Sequence, residues 1–306
     1  MSGAASARPA LISAVACYTL WGFLPLLFMT LGHYGFSADE ILAQRTAWSL
    51  LFAGALVLWA GQGQQVLRVL ATPKLLGWLA LSSALIAINW GLYVWATTHQ
   101  STLEASLGYY INPLLNMVVG MWLFRERMDR WGWIAIGLAS VGVLFQAAAL
   151  GRPPWISLAL AFSFCAYGVI RKRVAVDAQA GLMVECLLLA PFGIGWVLWL
   201  QSQGLGHLFE SPTHFGLALL TGPGTVIPLA LFAWAARRLP LSTIGFIQFM
   251  APTIQFGVGV WAGEPFTLLR AISFAFIWLG AAVFAGAAAF RVRAERRALK
   301  DCAEPI

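Results

Sequence analysis

Charge is scarce in this sequence, and that scarcity excludes a water-soluble globule. Only 10% of the 306 residues are Asp, Glu, Lys or Arg, against 60% hydrophobic, whereas a soluble domain carries about 25% charged residues to cover its surface. Acidic residues are the scarcer sign, twelve against nineteen Lys and Arg. The net charge of +7 does not imply nucleic acid, because the basic residues form no single patch or stripe and fall in small clusters between apolar runs. Histidine is limited to His33, His99, His207 and His214, without metal-ligand spacing and in or beside connecting segments, where solvated side chains are expected. Cys17, Cys165, Cys186 and Cys302 form no C-x-x-C pair and read as reduced packing residues. The sequence also lacks a P-loop, a nucleophile elbow, an H-E-x-x-H and a dinucleotide fingerprint. No cofactor and no enzymatic cluster is implied, and direct use of ATP by this chain is excluded.

Apolar length is what the chain has in quantity. A bilayer core about 30 Å thick takes about 20 apolar residues of helix, because each backbone amide must be satisfied within its own segment. By that measure spans are expected near 11–31, 40–60, 75–97, 101–123, 131–149, 154–171, 180–200, 213–235, 242–262 and 268–290. The uncharged stretch from Leu11 to Leu31 exceeds the apolar core of a signal peptide, about 7 to 15 residues, and predicts a retained first span. The least marked division is between the third and fourth spans, where Leu75 to Leu103 is free of Asp, Glu, Lys and Arg and Thr97 to Ser101 supply the turn. Orientation follows from Lys and Arg in short loops, which stay cytoplasmic. Sixteen of the nineteen collect on one side, two (Arg152 and Arg270) on the other, and Arg45 falls inside the second span. The expectation is ten spans with both termini cytoplasmic and a basic cytoplasmic face that attracts anionic lipid.

The two halves resemble each other. The segment from Asn112 aligns with that from Ala251, pairing Pro113 with Pro252, Gly120 with Gly259, Trp122 with Trp261, Glu126 with Glu264 and Gly142 with Gly280, while Asp39 falls on Asp177. A repeat of five spans has an odd count, so its second copy enters the membrane from the opposite side. The fold class expected is therefore an all-α integral membrane protein of ten transmembrane helices, built as two inverted five-helix repeats over residues 1–150 and 151–306. Inverted repeats place a site at their interface near the midplane, about which rocking gives alternating access. Gly108, Gly120, Gly245, Gly257 and Gly259 are expected where helices of the two halves approach closely.

The strings ADEILAQR from Ala38, LEASLGYYINPLLN from Leu103, AFSFCAYGVIRKR from Ala161 and RLPLSTIGFIQFMAPT from Arg238 resemble the EamA-type branch of the drug/metabolite transporter superfamily, and within it the RarD-like members. The resemblance covers nearly the whole chain. It implies a bacterial inner-membrane permease, a secondary transporter that exports a small metabolite or drug, in a group associated with chloramphenicol sensitivity. One departure is Arg125 before Glu126, where the family pattern usually has Gly.

Ionisable groups at membrane depth are costly and serve as functional hypotheses. Arg45 lies about 8 Å below Glu40 at helical rise and either receives the carboxylate of a substrate through its planar fork or pairs with Glu104. Ser37-x-x-Glu40 and Ser101-x-x-Glu104 are also capping boxes. Glu185 is either a coupling carboxylate or a partner for Arg171 or Arg173. Asn89 and Tyr93, Asn112 and Asn116, and Gln248 and Gln255 each share a helix face. With Trp90, Tyr109 and Tyr110 these faces either line a central substrate cavity or hold helices together by hydrogen bonds. Pro113 and Pro252 free carbonyls one turn earlier and bend the helices there.

Overall fold

The structure, a computed structural model, describes residues 2–98, 102–150, 153–261 and 268–301. Side chains are described for these except 2–7, 94, 97, 98, 102–106, 149, 150, 259, 270, 288, 289 and 291–301. Among the described residues all the regular structure is helical, with α1 (Ser2–His33), α2 (Ala38–Trp59), α3 (Gly63–Leu70), α4 (Pro73–Thr98), α5 (Thr102–Leu123) and α6 (Arg130–Leu150) in the first half. The second half holds α7 (Trp155–Arg173), α8 (Ala178–Ser202), α9 (Pro212–Ala236), α10 (Leu241–Gln248), α11 (Met250–Trp261) and α12 (Leu268–Asp301). Eight segments among the described residues are long and apolar enough to cross a membrane. Cys17, Cys165 and Cys186 are buried free thiols, and Cys302 lies outside the described residues.

The helices depart from the expected spans in three ways. The connection after α2 is partly helical: α3 is short and amphipathic, burying Val66 and Val69 while Leu67 stays exposed. The first and last helices overrun the apolar windows at their outer ends, because Ala, Ser and Arg there are compatible with helix although not with the bilayer core. The expected span 242–262 is two helices that meet at Phe249. Pro252 lacks the amide that would bond the Gln248 carbonyl and its ring crowds that carbonyl, so the break falls where proline chemistry puts it. Of the turn expected at Thr97 to Ser101, Thr97 and Thr98 close α4 as helix and residues 99–101 lie outside the described residues.

Helix pairing follows a rule. Set α1 against α7, α2 against α8, α4 against α9, α5 against α10 with α11, and α6 against α12. Under this exchange the contact α1–α9 becomes α7–α4, α2–α9 becomes α8–α4, and α5–α7 becomes α1–α11, all of which are present. The contacts α2–α8, α5–α10 and α6–α12 map onto themselves. The same reciprocity reaches single atoms: a Cβ on Gly142 would lie 2.6 Å from the Ser273 carbonyl, and one on Gly280 would lie 2.7 Å from that of Ala135. Gly245 likewise meets the Pro113 carbonyl and Gly108 the Ser157 backbone, whereas Gly257 faces open space and Gly259 has no described side-chain surroundings.

The bundle has two polar ends. At the basic end Glu126, on the loop after α5, accepts from the Leu241 and Ser242 amides at 2.6 and 2.9 Å and from the Ser242 hydroxyl at 2.7 Å, capping α10. Asp177 pairs with Arg237 at 3.0 Å on the same end. At the opposite end Glu40 is buried and accepts from both the amide and Nδ1 of His207, each at 2.8 Å. The capping box is thus half made: Ser37 Oγ accepts from the Glu40 amide, but the Glu40 carboxylate turns to the α8–α9 loop. The expectation of solvated histidines is corrected for two of the four. His207 is paired with Glu40, and His214 bonds Ser211 and the Tyr34 carbonyl, because these loops fold onto the helix ends.

Candidate functional site

Arg45 enters the bundle about two turns into α2, and aromatic side chains receive it. Its Cζ lies 4.2 Å from the Trp90 ring centroid on α4 and 5.5 Å from that of Phe28 on α1, within cation–π range. Its Nε donates to Thr225 Oγ1 on α9 at 3.2 Å, and Thr225 in turn donates to the Thr221 carbonyl. Among the described residues this is the one hydrogen bond of the guanidinium. Four helices from both halves therefore converge on one side chain.

Arg45 and Trp90 border a cavity of about 100 Å³ between the halves. Of the sequence-predicted residues, Asn89, Tyr93, Tyr109, Gln248, Gln255 and Pro252 line it too. A wider recess of about 310 Å³ between α1, α2 and α4 shares Arg45, Trp90 and Tyr93. Asn112 and Asn116 stand one layer behind. Asn116 Nδ2 donates to Asn112 Oδ1 at 2.9 Å and to Gln248 Oε1 at 2.8 Å, so this pair on α5 orients the Gln248 amide at the end of α10. Asn89 Nδ2 donates to the Leu160 carbonyl at 2.8 Å and to Ser163 at 2.9 Å, tying α4 to α7.

Prolines supply part of the polarity. Pro25 leaves the Trp21 carbonyl without its helical donor, and Gln255 Nε2 from α11 bonds that carbonyl at 3.1 Å. Pro113 has a milder effect than expected. Helix α5 runs unbroken past it, and its own carbonyl is covered by Gly245 of α10.

Glu104 and Glu185 stand apart from this group. The Glu104 side chain lies outside the described residues, and with it the expected pairing to Arg45. Glu185 is buried toward the basic end, where Ser82 and Tyr167 hydroxyls donate to it and Arg171 Nη1 lies at 3.5 Å. Arg171 also donates to the Ala178 carbonyl at 2.8 Å. A small, mainly apolar void of about 20 Å³, walled by Ile86, Leu182, Leu189 and Leu229, is shared by Glu185 and Tyr167 of this cluster and by Trp90 and Thr225, the partners of Arg45. Tyr110, also predicted, is buried against Phe274, in the core shared by α5, α6 and α12.

Sequence reasoning missed Tyr18, Trp21, Phe28, Phe164 and Thr225. Four of them are apolar or aromatic residues in apolar runs, where core packing is the ordinary reading, and Thr225, with Thr221 one turn earlier, reads as hydroxyls bonded within their own helix. Among the described residues no three His, Cys, Asp or Glu side chains come together as a metal-binding group.

The profile described as the EamA-like transporter family matches residues 8–147. The protein RarD of Salmonella typhi is 42% identical over 279 residues, covering 90% of this chain and 94% of that one. A protein of Pseudomonas aeruginosa named the chloramphenicol-sensitive protein RarD is 30% identical over 83% of this chain and 88% of its own. A crystal structure of 22% sequence identity superposes with a TM-score of 0.69 over 90% of this chain and 96% of that chain, so the fold is shared. With relatives this similar along almost its full length, the chain is a RarD-like member of the EamA-like transporter family, a multi-pass bacterial membrane protein.

Proposed function

We propose that the chain is a secondary transporter of ten transmembrane helices that exports a small organic solute across the bacterial inner membrane. The spans are α1, α2, α4 to α9, α10 with α11, and α12. Residues 1–150 and 151–306 form inverted repeats that rock about the central cavity. The observation that carries this reading is the seating of Arg45: a guanidinium from the first half, stacked on Trp90 and bonded to Thr225 of the second half, bordering a cavity that both halves line. The exchange symmetry of the helix contacts supports the repeat.

In this reading Arg45 receives an anionic group of the solute. Asn89, Trp90, Tyr93, Glu104, Tyr109, Gln248 and Gln255 shape the site, Asn112 and Asn116 hold it in register, and Pro113 and Pro252 set the helix geometry. Glu126 at the basic end and Glu40 at the other are contacts that must part in turn for access to alternate. Glu185 couples transport to protons through its place beside Tyr167 and the small void it shares with Thr225 and Trp90. Both termini and the basic end face the cytoplasm and its anionic lipid. The similarity to a protein named for chloramphenicol sensitivity extends the proposal to that drug: deleting the gene changes the inhibitory concentration of chloramphenicol.

Two measurements test it. A reporter fused after Arg173 reads as cytoplasmic and one after Gly263 as periplasmic; the reverse pattern sinks the inverted topology. The metabolite released by cells that carry the gene and retained by cells that lack it is then assayed with purified protein in liposomes. Its saturable flux falls at least tenfold in Arg45→Ala, and Glu185→Gln abolishes the response of flux to a pH gradient. Unchanged flux in Arg45→Ala removes the residue from the site, and an intact pH response in Glu185→Gln removes it from coupling.

A further inference from the structure

The central cavity carries more chemistry than one positive charge. Seven of its fifteen lining residues are aromatic, and they are arranged as walls: Trp21 meets Phe164 edge to face at 5.7 Å, and Tyr93 meets Tyr109 in the same manner at 5.6 Å. Rings so placed present edges and faces to whatever lies between them, the geometry in which a further aromatic ring gains most. Among the described residues Arg45 is the one charged side chain in the lining, and its guanidinium favours an anionic ligand there.

The third element is Tyr18 on α1. Its side chain is 1% exposed and borders the cavity, and among the described residues its hydroxyl has no hydrogen-bond partner. A buried hydroxyl without a partner costs free energy and calls for an explanation; a polar group on a ligand supplies one. Gln248 adds a donor close by, since Asn116 already occupies its oxygen and leaves the NH2 group for the cavity. Size limits the rest. About 100 Å³ is somewhat less than the cavity of about 150 Å³ known to hold benzene, so the cavity suits a single ring whose substituent at Arg45 reaches the wider recess it meets.

We infer that the cavity binds small aromatic monocarboxylates whose ring bears a second polar group. The carboxylate sits on Arg45, where the cavity meets the wider recess between α1, α2 and α4. The ring lies between the aromatic walls, and the second polar group reaches Tyr18. This names the solute class for the transport reading above and rests on it.

The test is equilibrium binding to purified full-length protein in detergent, by calorimetry, with four probes: 4-hydroxybenzoate, benzoate, cyclohexanecarboxylate and 4-hydroxybenzylamine. 4-Hydroxybenzoate binds tightest. Benzoate is weaker by about fivefold, the value of one neutral hydrogen bond, and cyclohexanecarboxylate is weaker again by about threefold to tenfold for lost ring contacts. The amine gives no heat. Tyr18→Phe brings 4-hydroxybenzoate down to the affinity of benzoate and leaves benzoate within twofold, while Arg45→Gln weakens both acids at least tenfold. Tyr18→Phe is near-isosteric, and the unmoved benzoate affinity verifies its fold. The proposal is overturned if the amine binds as well as the acids, if none of the acids binds, or if Tyr18→Phe weakens both benzoates alike. Failure of the transport reading looks different: acids that bind as described yet show no flux in liposomes keep the site and remove the transporter. Flux of another solute without acid binding does the reverse.

Discussion

Arg125 shows how much one φ angle records. It is the one non-glycine among the described residues with a left-handed backbone, φ 53°, and the position is where the family pattern has Gly. An L side chain there costs about 1 to 2 kcal/mol, whereas Gly costs about 0.5 to 1 kcal/mol in unfolded-state entropy. Arg125→Gly is therefore expected to stabilise the protein by about 0.5 to 1 kcal/mol, read as a higher melting temperature in detergent. Arg125→Val, β-branched, lowers it. A neutral result for both places the turn outside the left-handed region. The same turn delivers Glu126 onto the Leu241 and Ser242 amides, so the tolerated strain is local to a residue whose neighbour holds α10.

Among elements, the discontinuous ninth span is the informative one. Pro252 announced it, but the sequence alone does not say whether a proline bends a helix, as here, or is absorbed, as at Pro113 in α5. The difference is a tertiary fact, since both are prolines inside apolar helical runs. The same limit applies to the site. Polar pairs four or seven apart were legible because helical spacing puts them on one face, and most of them do border the cavity. Tyr18 and Thr225 were not legible, since a lone Tyr in an apolar run, or a Thr bonded back to its own helix, is also ordinary packing. Glu185 was legible both as costly and as a partner for Arg171 or Arg173, and it is Arg171, fourteen residues earlier on another helix, that lies 3.5 Å from it. Glu126→Ala tests the cap on α10. Removing three acceptor contacts of a carboxylate is expected to cost about 1 to 3 kcal/mol. It also raises thiol labelling of a cysteine placed at Ser242, read by mass spectrometry on membranes. Labelling as slow as in a Glu126-intact control would mean that the carboxylate does not hold this end shut.

For the molecule as a whole, the reciprocal seating of Gly142 on Ser273 and Gly280 on Ala135 makes a symmetric demand. A leucine at either position drives α6 and α12 apart by overpacking against backbone, with a cost of about 1 to 3 kcal/mol or more. Gly142→Leu and Gly280→Leu are expected to lower the melting temperature to a similar extent. Their combination costs less than the sum, because the first already separates the pair. Full additivity would show that the two contacts are independent rather than one seam. The all-helical membrane fold was readable from apolar length and charge clusters, and the Pro, Trp, Glu and Gly that recur in order raised the expectation of paired halves. Which helices touch was not readable, since contact between spans is set by small residues whose partners lie far along the chain.

The joint at Phe249 divides the molecule differently from its sequence. Although α10 belongs by numbering to the second half, the first half grips it at its start through Glu126, along its length through the Pro113 carbonyl under Gly245, and at its end through Asn116 on Gln248. Beyond Phe249, α11 is fastened to α1 by Ile254 against Gly22 and by Gln255 on the Trp21 carbonyl. Both fragments of this span are thus clamped to the other repeat, by separate helices. If α1 and α5 shift relative to each other, the strain is delivered to the one link where the helical ladder is already open.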